Sequence, residues 1–315
     1  MRRPGVVLVT GLLALAGTFA ATGAADVAHA ATRHGHRTSI LRSPAPVTAD
    51  RARAVRDYWT PARMAAATPV DALLGLTSTH DRGRAPARQR RVHVPSSVGR
   101  LFFTTSAGDA SCTASAIRTR KRNQVITAGH CVNTGPDGGG LLGQPEWFSN
   151  WVFVPRYHDG QRPFGKWVAT DAFAFGGWVN HGRYSRDQAV IKFQRRHGRK
   201  LTRVVGANLV RTGLHQRQRG VRIWGWPAEF QYDGERAVHC DGRTTRRGLS
   251  KDAKMRCPMN GGASGGPWLL RKDRHADWGL IFAVTSRRTV HHRPKLLLAV
   301  PLPDALKDLL RHVNR

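Results

Sequence analysis

Short segments of β-branched and aromatic residues, separated by turn residues, dominate the sequence from Val92 onwards. Segments such as VGRLFFTT, QVITAG and WGLIFAVTS either alternate in polarity or are continuously apolar, which predicts short β-strands. We find no internal repeat in this part of the chain and no stripe of apolar residues at helical spacing. Short strands at regular spacing favour a β-barrel or a β-sandwich. We therefore expect an all-β body.

The C-terminal segment is the exception to this strand pattern. Asp304 precedes it and Arg311 lies near its end, which suits the dipole of a helix. Its apolar residues share one helical face: Leu306, Leu309, Leu310 and Val313. This periodicity predicts a C-terminal α-helix.

The first thirty residues have the pattern of a secretory signal peptide. Arg2 and Arg3 precede an apolar stretch, and Ala28-His29-Ala30 supplies small residues before a cleavage point. The apolar stretch is shorter than the ~20 residues that a transmembrane helix needs. We expect a signal peptide at 1–30, a secreted protein, and no membrane span in the mature form.

Residues 31–94 differ in composition from the rest of the chain. They are rich in Arg, Ala and Pro and poor in aliphatic residues, which predicts one or two short helices interrupted by Pro61 and Pro69. A loosely structured segment after a signal peptide suggests a prosegment. A simple N-terminal tail is the alternative. We expect the prosegment to be removed by a cut between Arg88 and Pro95.

The formal charge is +31, and most of the excess is arginine. Attraction to polyanions would follow from this charge. However, no basic run is interleaved with aromatic residues, and no nucleic-acid-binding module is recognisable. We therefore expect no specific nucleic-acid partner, and only non-specific binding to polyanions.

The chain has four cysteines, Cys112, Cys131, Cys240 and Cys257, which allow three pairings. Export permits disulfides. The two local pairings, Cys112–Cys131 and Cys240–Cys257, would close short loops and contribute roughly 3 kcal/mol each. No C-x-x-C pair is present, so we expect no metal site.

The stretch NGGASGGPW, residues 260–268, places Ser264 among glycines. The pattern G-x-S-x-G is typical of the nucleophile elbow of an α/β-hydrolase, and an ordinary glycine-rich turn is a second interpretation. An elbow requires a helix after the serine. Here Pro267 and strand-like segments follow, which favours the loop of a two-barrel serine peptidase.

Two other residues have the chemistry that would activate a serine. His130 follows the apolar segment VITAG, and a rigid strand end fixes an imidazole well for general-base catalysis. Asp187 opens the apolar segment AVIKF, where its carboxylate could hold the other imidazole nitrogen. Asp171, inside an alternating segment, is the second choice for the acid. Each residue taken alone is more often structural.

In chain order, His130, Asp187 and Ser264 make the sequence resemble the chymotrypsin-like (trypsin-like) serine peptidases of secreted bacterial type. The resemblance rests on TAGHC, RDQAVIKF, GASGGP and the closing helix, and covers roughly residues 95–315. It implies two six-stranded antiparallel β-barrels, at 95–200 and 201–315, with the site between them. It also implies the disulfide Cys112–Cys131 beside the catalytic histidine.

The resemblance further implies a role for each residue. Ser264 would be the nucleophile of a serine endopeptidase, His130 the general base, and Asp187 the residue that orients the histidine. The backbone N–H groups of Gly262 and Ser264 would form the oxyanion hole. We expect a protein or peptide substrate, no cofactor and a monomer.

The sequence departs from the digestive members of that family before the serine. Ala263 stands where they have an aspartate that pairs with a new N-terminus, so that activation switch is absent. The expected pocket wall, residues 257–260, contains no carboxylate, which gives no support to a preference for Lys or Arg at P1. Arg287, Arg288 or His291 could instead favour an acidic P1 residue.

Two alternatives to the endopeptidase stay open at this point. One is a non-catalytic protein on the same scaffold that binds a partner through its basic surface. The other is an α/β-hydrolase esterase that uses Ser264.

Overall fold

The computed structural model describes residues 38–44, 47–75, 92–138, 144–270, 279–289 and 295–315. The predicted signal peptide, residues 31–37, 45–46 and 76–91 of the predicted prosegment, and His291 lie outside these residues. Among the described helices, none is both long and apolar enough to cross a bilayer.

Six antiparallel strands close the first barrel. Around the ring they are hydrogen-bonded in the order β3-β4-β5-β8-β7-β6, and β6 returns to β3. Apolar side chains fill the interior, as the alternating patterns predict. The strands are β3 (Val98–Thr105), β4 (Gly108–Ala116), β5 (Gln124–Thr127), β6 (Ser149–Pro155), β7 (Trp167–Phe175) and β8 (Ala189–Phe193).

Nine described strands build the second half of the chain, in two sheets. The five-stranded sheet has the order β11-β10-β14-β15-β9, and the four-stranded sheet has the order β12-β13-β17-β16. The strands are β9 (Leu209–Val210), β10 (Val221–Gly225), β11 (Val238–Gly242), β12 (Thr245–Arg246), β13 (Ala253–Arg256), β14 (Pro267–Leu270), β15 (Leu280–Val284), β16 (Arg287–Arg288) and β17 (Leu296–Ala299). Within this half β9 pairs with β15 in parallel. The predicted all-β, two-barrel architecture is confirmed.

The helices are few. The predicted C-terminal helix is present as α6 (Leu306–Val313), and it buries Leu306, Leu309 and Val313 in the core. Of the other described helices, two short ones lie between strands of the body and three lie in the N-terminal segment. They are α1 (Ala49–Tyr58), α2 (Pro61–Ala66), α3 (Val70–Leu73), α4 (Gly176–Val179) and α5 (Leu201–Val205).

The described part of the N-terminal segment is packed against the first barrel. Strand β1 (Ile40–Arg42) pairs with β7, and strand β2 (Thr68–Pro69) pairs in parallel with β4. Trp59 is fully buried, and its Nε1 donates a hydrogen bond to the carbonyl of Asn150 at 2.7 Å.

Pro61 and Pro69 lie at the starts of helices, at the interruptions that the sequence pattern predicted. Pro61 is the first residue of α2, and Pro69 directly precedes α3. A helix leaves its first N–H groups without intrahelical partners, so a proline at its start loses nothing by having no N–H. The chain can therefore stay ordered across both prolines.

Candidate active site

His130 is positioned by the end of β5. The strand ends at Thr127, and His130 lies in the 3-10 helix Gly129–Cys131 that follows. A disulfide joins Cys131 to Cys112 of β4, and a second joins Cys240 to Cys257. Together these two local bonds make up one of the three pairing schemes that four cysteines allow. The first one tethers the turn that carries His130, whose side chain is buried.

Asp187 contacts both the imidazole and the backbone N–H of His130. It follows the 3-10 helix Tyr184–Arg186 and precedes β8. Its Oδ2 lies 2.9 Å from His130 Nδ1, and its Oδ1 accepts the backbone N–H of His130, also at 2.9 Å. Ser286 Oγ donates a third hydrogen bond to Oδ2, at 2.6 Å. With this many partners, the fully buried carboxylate can stay ionised.

His130 and Asp187 each stabilise the charged form of the other. Burial alone would lower the pKa of His130, but the carboxylates of Asp187 and Asp71 outweigh it, so the pKa of His130 is raised. Burial would raise the pKa of Asp187, but the contacts with His130 and Ser286 lower it. The pair therefore favours an ionised Asp187 and stabilises an imidazolium at His130.

Asp171, the second choice for the acid, lies elsewhere in the first barrel. It is on β7 beside a register shift, and its buried carboxylate forms an ion pair with Arg42 of β1. The carboxylate that contacts His130 is that of Asp187.

Ser264 lies in the turn between β13 and β14, at the interface with the first barrel. Thr113 of β4 donates from its N–H to the carbonyl of Ser264 at 2.8 Å, and from its Oγ1 to the carbonyl of Gly262 at 2.9 Å. One residue of the first barrel therefore holds the serine loop of the second half beside the elements that carry His130.

A strand, β14, follows Ser264 in the structure. The nucleophile elbow of an α/β-hydrolase would require a helix at this place, within a fold of alternating strands and helices. The esterase alternative therefore does not fit the observed fold.

Glycine is required at two positions of the serine loop. Gly262 has φ +93°, and a Cβ there would lie 2.5 Å from the carbonyl oxygen of Trp226. Gly265 has φ +78°, and its Cβ would lie 2.0 Å from Thr127 Oγ1. Glycine tolerates both the positive φ and the close approach.

We expect Gly265→Ala to lower the free energy of unfolding by about 1–3 kcal/mol more than Gly220→Ala, because only the first substitution adds a clash in a packed interface. Gly220 is a matched control, since its φ is +64° and no heavy atom would lie within 4 Å of an added Cβ. Urea unfolding of both variants measures the difference. Equal losses would show that the close packing of Gly265 is unimportant.

Asp71 of the N-terminal segment occupies the site, which the sequence did not predict. Its Oδ1 accepts a hydrogen bond from Ser264 Oγ at 2.8 Å, and its Oδ2 accepts one from the N–H of Gly262 at 3.0 Å. The same Oδ1 lies 3.9 Å from His130 Nε2. Residues 38–315 belong to one compact unit. The three sequence-predicted residues and Asp71 therefore meet at one point.

A carboxylate also lies next to the predicted pocket wall, on a loop that the sequence did not indicate. Glu229 Oε2 accepts the N–H of Gly261 at 3.0 Å and forms an ion pair with Arg288 at 3.1 Å. Both side chains are at most 9% exposed. Burial raises the pKa of Glu229, against the opposing effect of Arg288. The charge of Arg288 is thus balanced inside the protein.

One group of three potential metal ligands occurs in the described part of the chain, formed by Cys112, His130 and Cys131. Its two sulfurs are joined to each other in the disulfide. Only a free thiolate is a good ligand, so this group is not suited to hold a metal.

Solved structures with a similar fold are proteases. A scan against family models and a search of curated proteins give no match. Among solved structures, the protease Anisep from Arthrobacter nicotinovorans is 27% identical with a TM-score of 0.60, and the similarity covers 68% of this chain and 94% of that one. The thermostable serine protease AL20 from an extremophilic microorganism is 26% identical with a TM-score of 0.61, covering 69% and 96%.

A third solved structure, a Glu endopeptidase, is 20% identical with a TM-score of 0.54, covering 74% of this chain and 97% of that one. At this identity it bears on the fold alone. The other two similarities also support a protease function. The chain has the two-barrel fold of the chymotrypsin-like serine proteases and is similar to the bacterial proteases of that fold.

Proposed function

We propose that this protein is a secreted serine endopeptidase in which Ser264 is the nucleophile, His130 the general base and Asp187 the residue that orients the base. The observation that carries the proposal is the buried contact between His130 Nδ1 and Asp187, next to a glycine-flanked serine, in this fold. No observation specifically favours the non-catalytic alternative.

The chemistry follows from the protonation states. A serine hydroxyl is a weak nucleophile until a base removes its proton. His130 would accept that proton at Nε2, because Asp187 keeps the other proton on Nδ1. The hydroxyl oxygen would then attack the peptide carbonyl, and the imidazolium would return the proton to the leaving amine. Water would hydrolyse the acyl-enzyme by the same steps.

The negative oxygen of the tetrahedral intermediate needs donors that are already in place. The backbone N–H groups of Gly262 and Ser264 are the donors that we assign to it. The contact between the N–H of Gly262 and a carboxylate oxygen of Asp71 supports this assignment, since it is the type of contact that an oxyanion would make.

Covalent labelling tests the proposal. Diisopropyl fluorophosphate should phosphorylate one residue of the processed protein, and peptide mapping should place the label on Ser264. A processed, folded protein that takes up no label would instead favour the non-catalytic alternative.

We also propose that the protein is exported and made as a zymogen, with residues 1–30 as signal peptide and 31–94 as prosegment. The two disulfides are compatible with export. Sequencing the N-terminus of the active secreted form tests this. We expect a start between Arg88 and Pro95, and a start at Ala31 would contradict it.

Two adjacent grooves carry part of the positive charge. No carboxylate is present among their described lining residues. These surfaces support the expectation of non-specific polyanion binding, which remains a prediction. The cationic residues that line the grooves are Arg118, Arg120, Arg122, Arg195, Arg199, Lys200, Arg203 and Lys307.

A further inference from the structure

We propose that Asp71 is an internal inhibitor of this enzyme. Its carboxylate occupies the place of the reacting carbonyl group, and the N-terminal segment holds it there until the segment leaves. This inference rests on the proposed function and concerns the regulation of the same site.

The first argument is the set of contacts that Asp71 makes. One oxygen accepts the hydroxyl proton of Ser264, and the other accepts the N–H of Gly262. A carboxylate has a carbon between two oxygens, so it can satisfy the nucleophile and the oxyanion donor together. A substrate carbonyl carbon would need the same space beside Ser264 Oγ, and its oxygen would need the same N–H of Gly262.

The second argument is the effect on the base. Ser264 donates its hydroxyl proton to Asp71, and His130 Nε2 is buried with no hydrogen-bond partner among the described residues. A buried nitrogen without a partner is costly. Removing the carboxylate would free the hydroxyl of Ser264 to bond to this nitrogen, which is the contact that general-base catalysis requires.

The third argument is that the fold delivers Asp71 to this point. Strand β2 lies beside Ala110 and Ser111 of β4, and Val70 is fully buried. The carbonyl of Ala67 accepts a hydrogen bond at 3.2 Å from Arg100, a side chain that is 1% exposed. Contacts on the N-terminal side of Asp71 thus determine where its carboxylate lies.

The enzyme has no means of cleaving this inhibitor at Asp71. A carboxylate has no amine leaving group, and its negative charge disfavours attack by a hydroxyl. The group that faces Ser264 is the side chain, so no peptide bond of the segment is presented by this contact. The carboxylate of Asp71 can therefore stay in contact with Ser264 without being cleaved.

A consequence concerns activation. Cleavage between Arg88 and Pro95 would leave residues 38–75 attached to the first barrel through β1, β2 and the buried Trp59. The cut chain should stay inhibited until this segment dissociates or is degraded. Cutting and activation are then separate events.

The test uses the full chain after signal-peptide removal, with mass spectrometry to confirm that it is uncut. We would measure the initial rate at which diisopropyl fluorophosphate labels Ser264 in the wild type, Asp71→Ala and Asp71→Asn. Asp50→Ala is the matched control, because Asp50 is in the same segment, 92% exposed, and pairs with Arg53 on its own helix. We expect both Asp71 variants to label at least about tenfold faster than the wild type and the control.

The pH dependence separates a direct role from a general loosening of the segment. The charged groups that act on His130 are Asp187 and Asp71, which raise its pKa, and Arg287, which lowers it. Labelling needs the neutral imidazole, so its rate rises as pH passes the pKa of His130. Asp71→Asn removes one of the two carboxylates that raise the pKa of His130. The labelling rate of this variant should therefore increase at a lower pH than that of the wild type.

The outcomes are distinguishable. Equal labelling rates in the wild type and in Asp71→Asn, which keeps the size of the side chain, would overturn the inhibitor role while leaving the endopeptidase proposal intact. Faster labelling with an unchanged pH midpoint would also overturn the direct contact with the catalytic groups. Absence of label in every variant, including protein whose N-terminal segment has been removed, would overturn the proposed function itself.

Discussion

Replacing Ser264 with alanine should lower the turnover of casein by the processed protein about 10⁶-fold. A methyl group cannot attack the carbonyl or form an acyl-enzyme, and losses of this size follow removal of the nucleophile in enzymes that use a triad. Initial rates of casein hydrolysis measure the effect. Little change in the stability of the processed protein is expected, because the hydrogen bond from Ser264 Oγ to Asp71 belongs to the uncut chain.

Ser250→Ala is the control for this substitution. Ser250 lies in an exposed turn, and its Oγ also makes local hydrogen bonds. Its turnover should equal that of the wild type. If Ser264→Ala retained more than a few per cent of the wild-type rate, another residue would have to be the nucleophile.

Replacing Asp187 with asparagine should lower kcat about 10⁴-fold. The amide has nearly the same shape, but its NH₂ group can donate a proton towards His130 Nδ1. That contact favours the tautomer with its proton on Nε2, where the imidazole cannot accept the serine proton. The imidazolium also loses the negative charge that stabilises it. Steady-state kinetics on a peptide substrate that the wild type cleaves would measure kcat and KM separately, and the loss should appear in kcat.

Asp171→Asn is a demanding control for this prediction. It makes the same chemical change in the same barrel, at a buried carboxylate that pairs with Arg42. In the processed protein, which lacks Arg42, we expect an almost unchanged kcat. If Asp171→Asn lost as much kcat as Asp187→Asn, the assignment of the orienting acid would be wrong.

The local patterns of the sequence predicted the secondary structure well. Alternating β-branched segments became the strands of the first barrel, because period-two alternation buries one face wherever it occurs. The four residues with helical spacing in the tail became α6. Prediction was weakest in the N-terminal segment, where sparse apolar residues hid the packing of Trp59.

Some residues of the candidate site could likewise be predicted from local sequence patterns, and others could not. His130 and Ser264 stand in short motifs whose neighbours must be glycine, cysteine or strand residues for local reasons. Asp187 could be ranked above Asp171 because it precedes a continuously apolar strand. Ser286 and Thr113 were missed, although the strand patterns around them were recognised, since nothing local distinguishes a serine or threonine that contacts a distant loop.

By itself, the sequence determined the all-β class, the closing helix and the three residues most suited to acyl transfer, since these depend on the order of neighbours along the chain. Only the tertiary structure decided that Glu229 neutralises Arg288 and that Asp71 lies against Ser264, 193 positions further along. Such contacts arise when separate elements pack, and a carboxylate in a short helix has no local mark that reveals which surface it will meet.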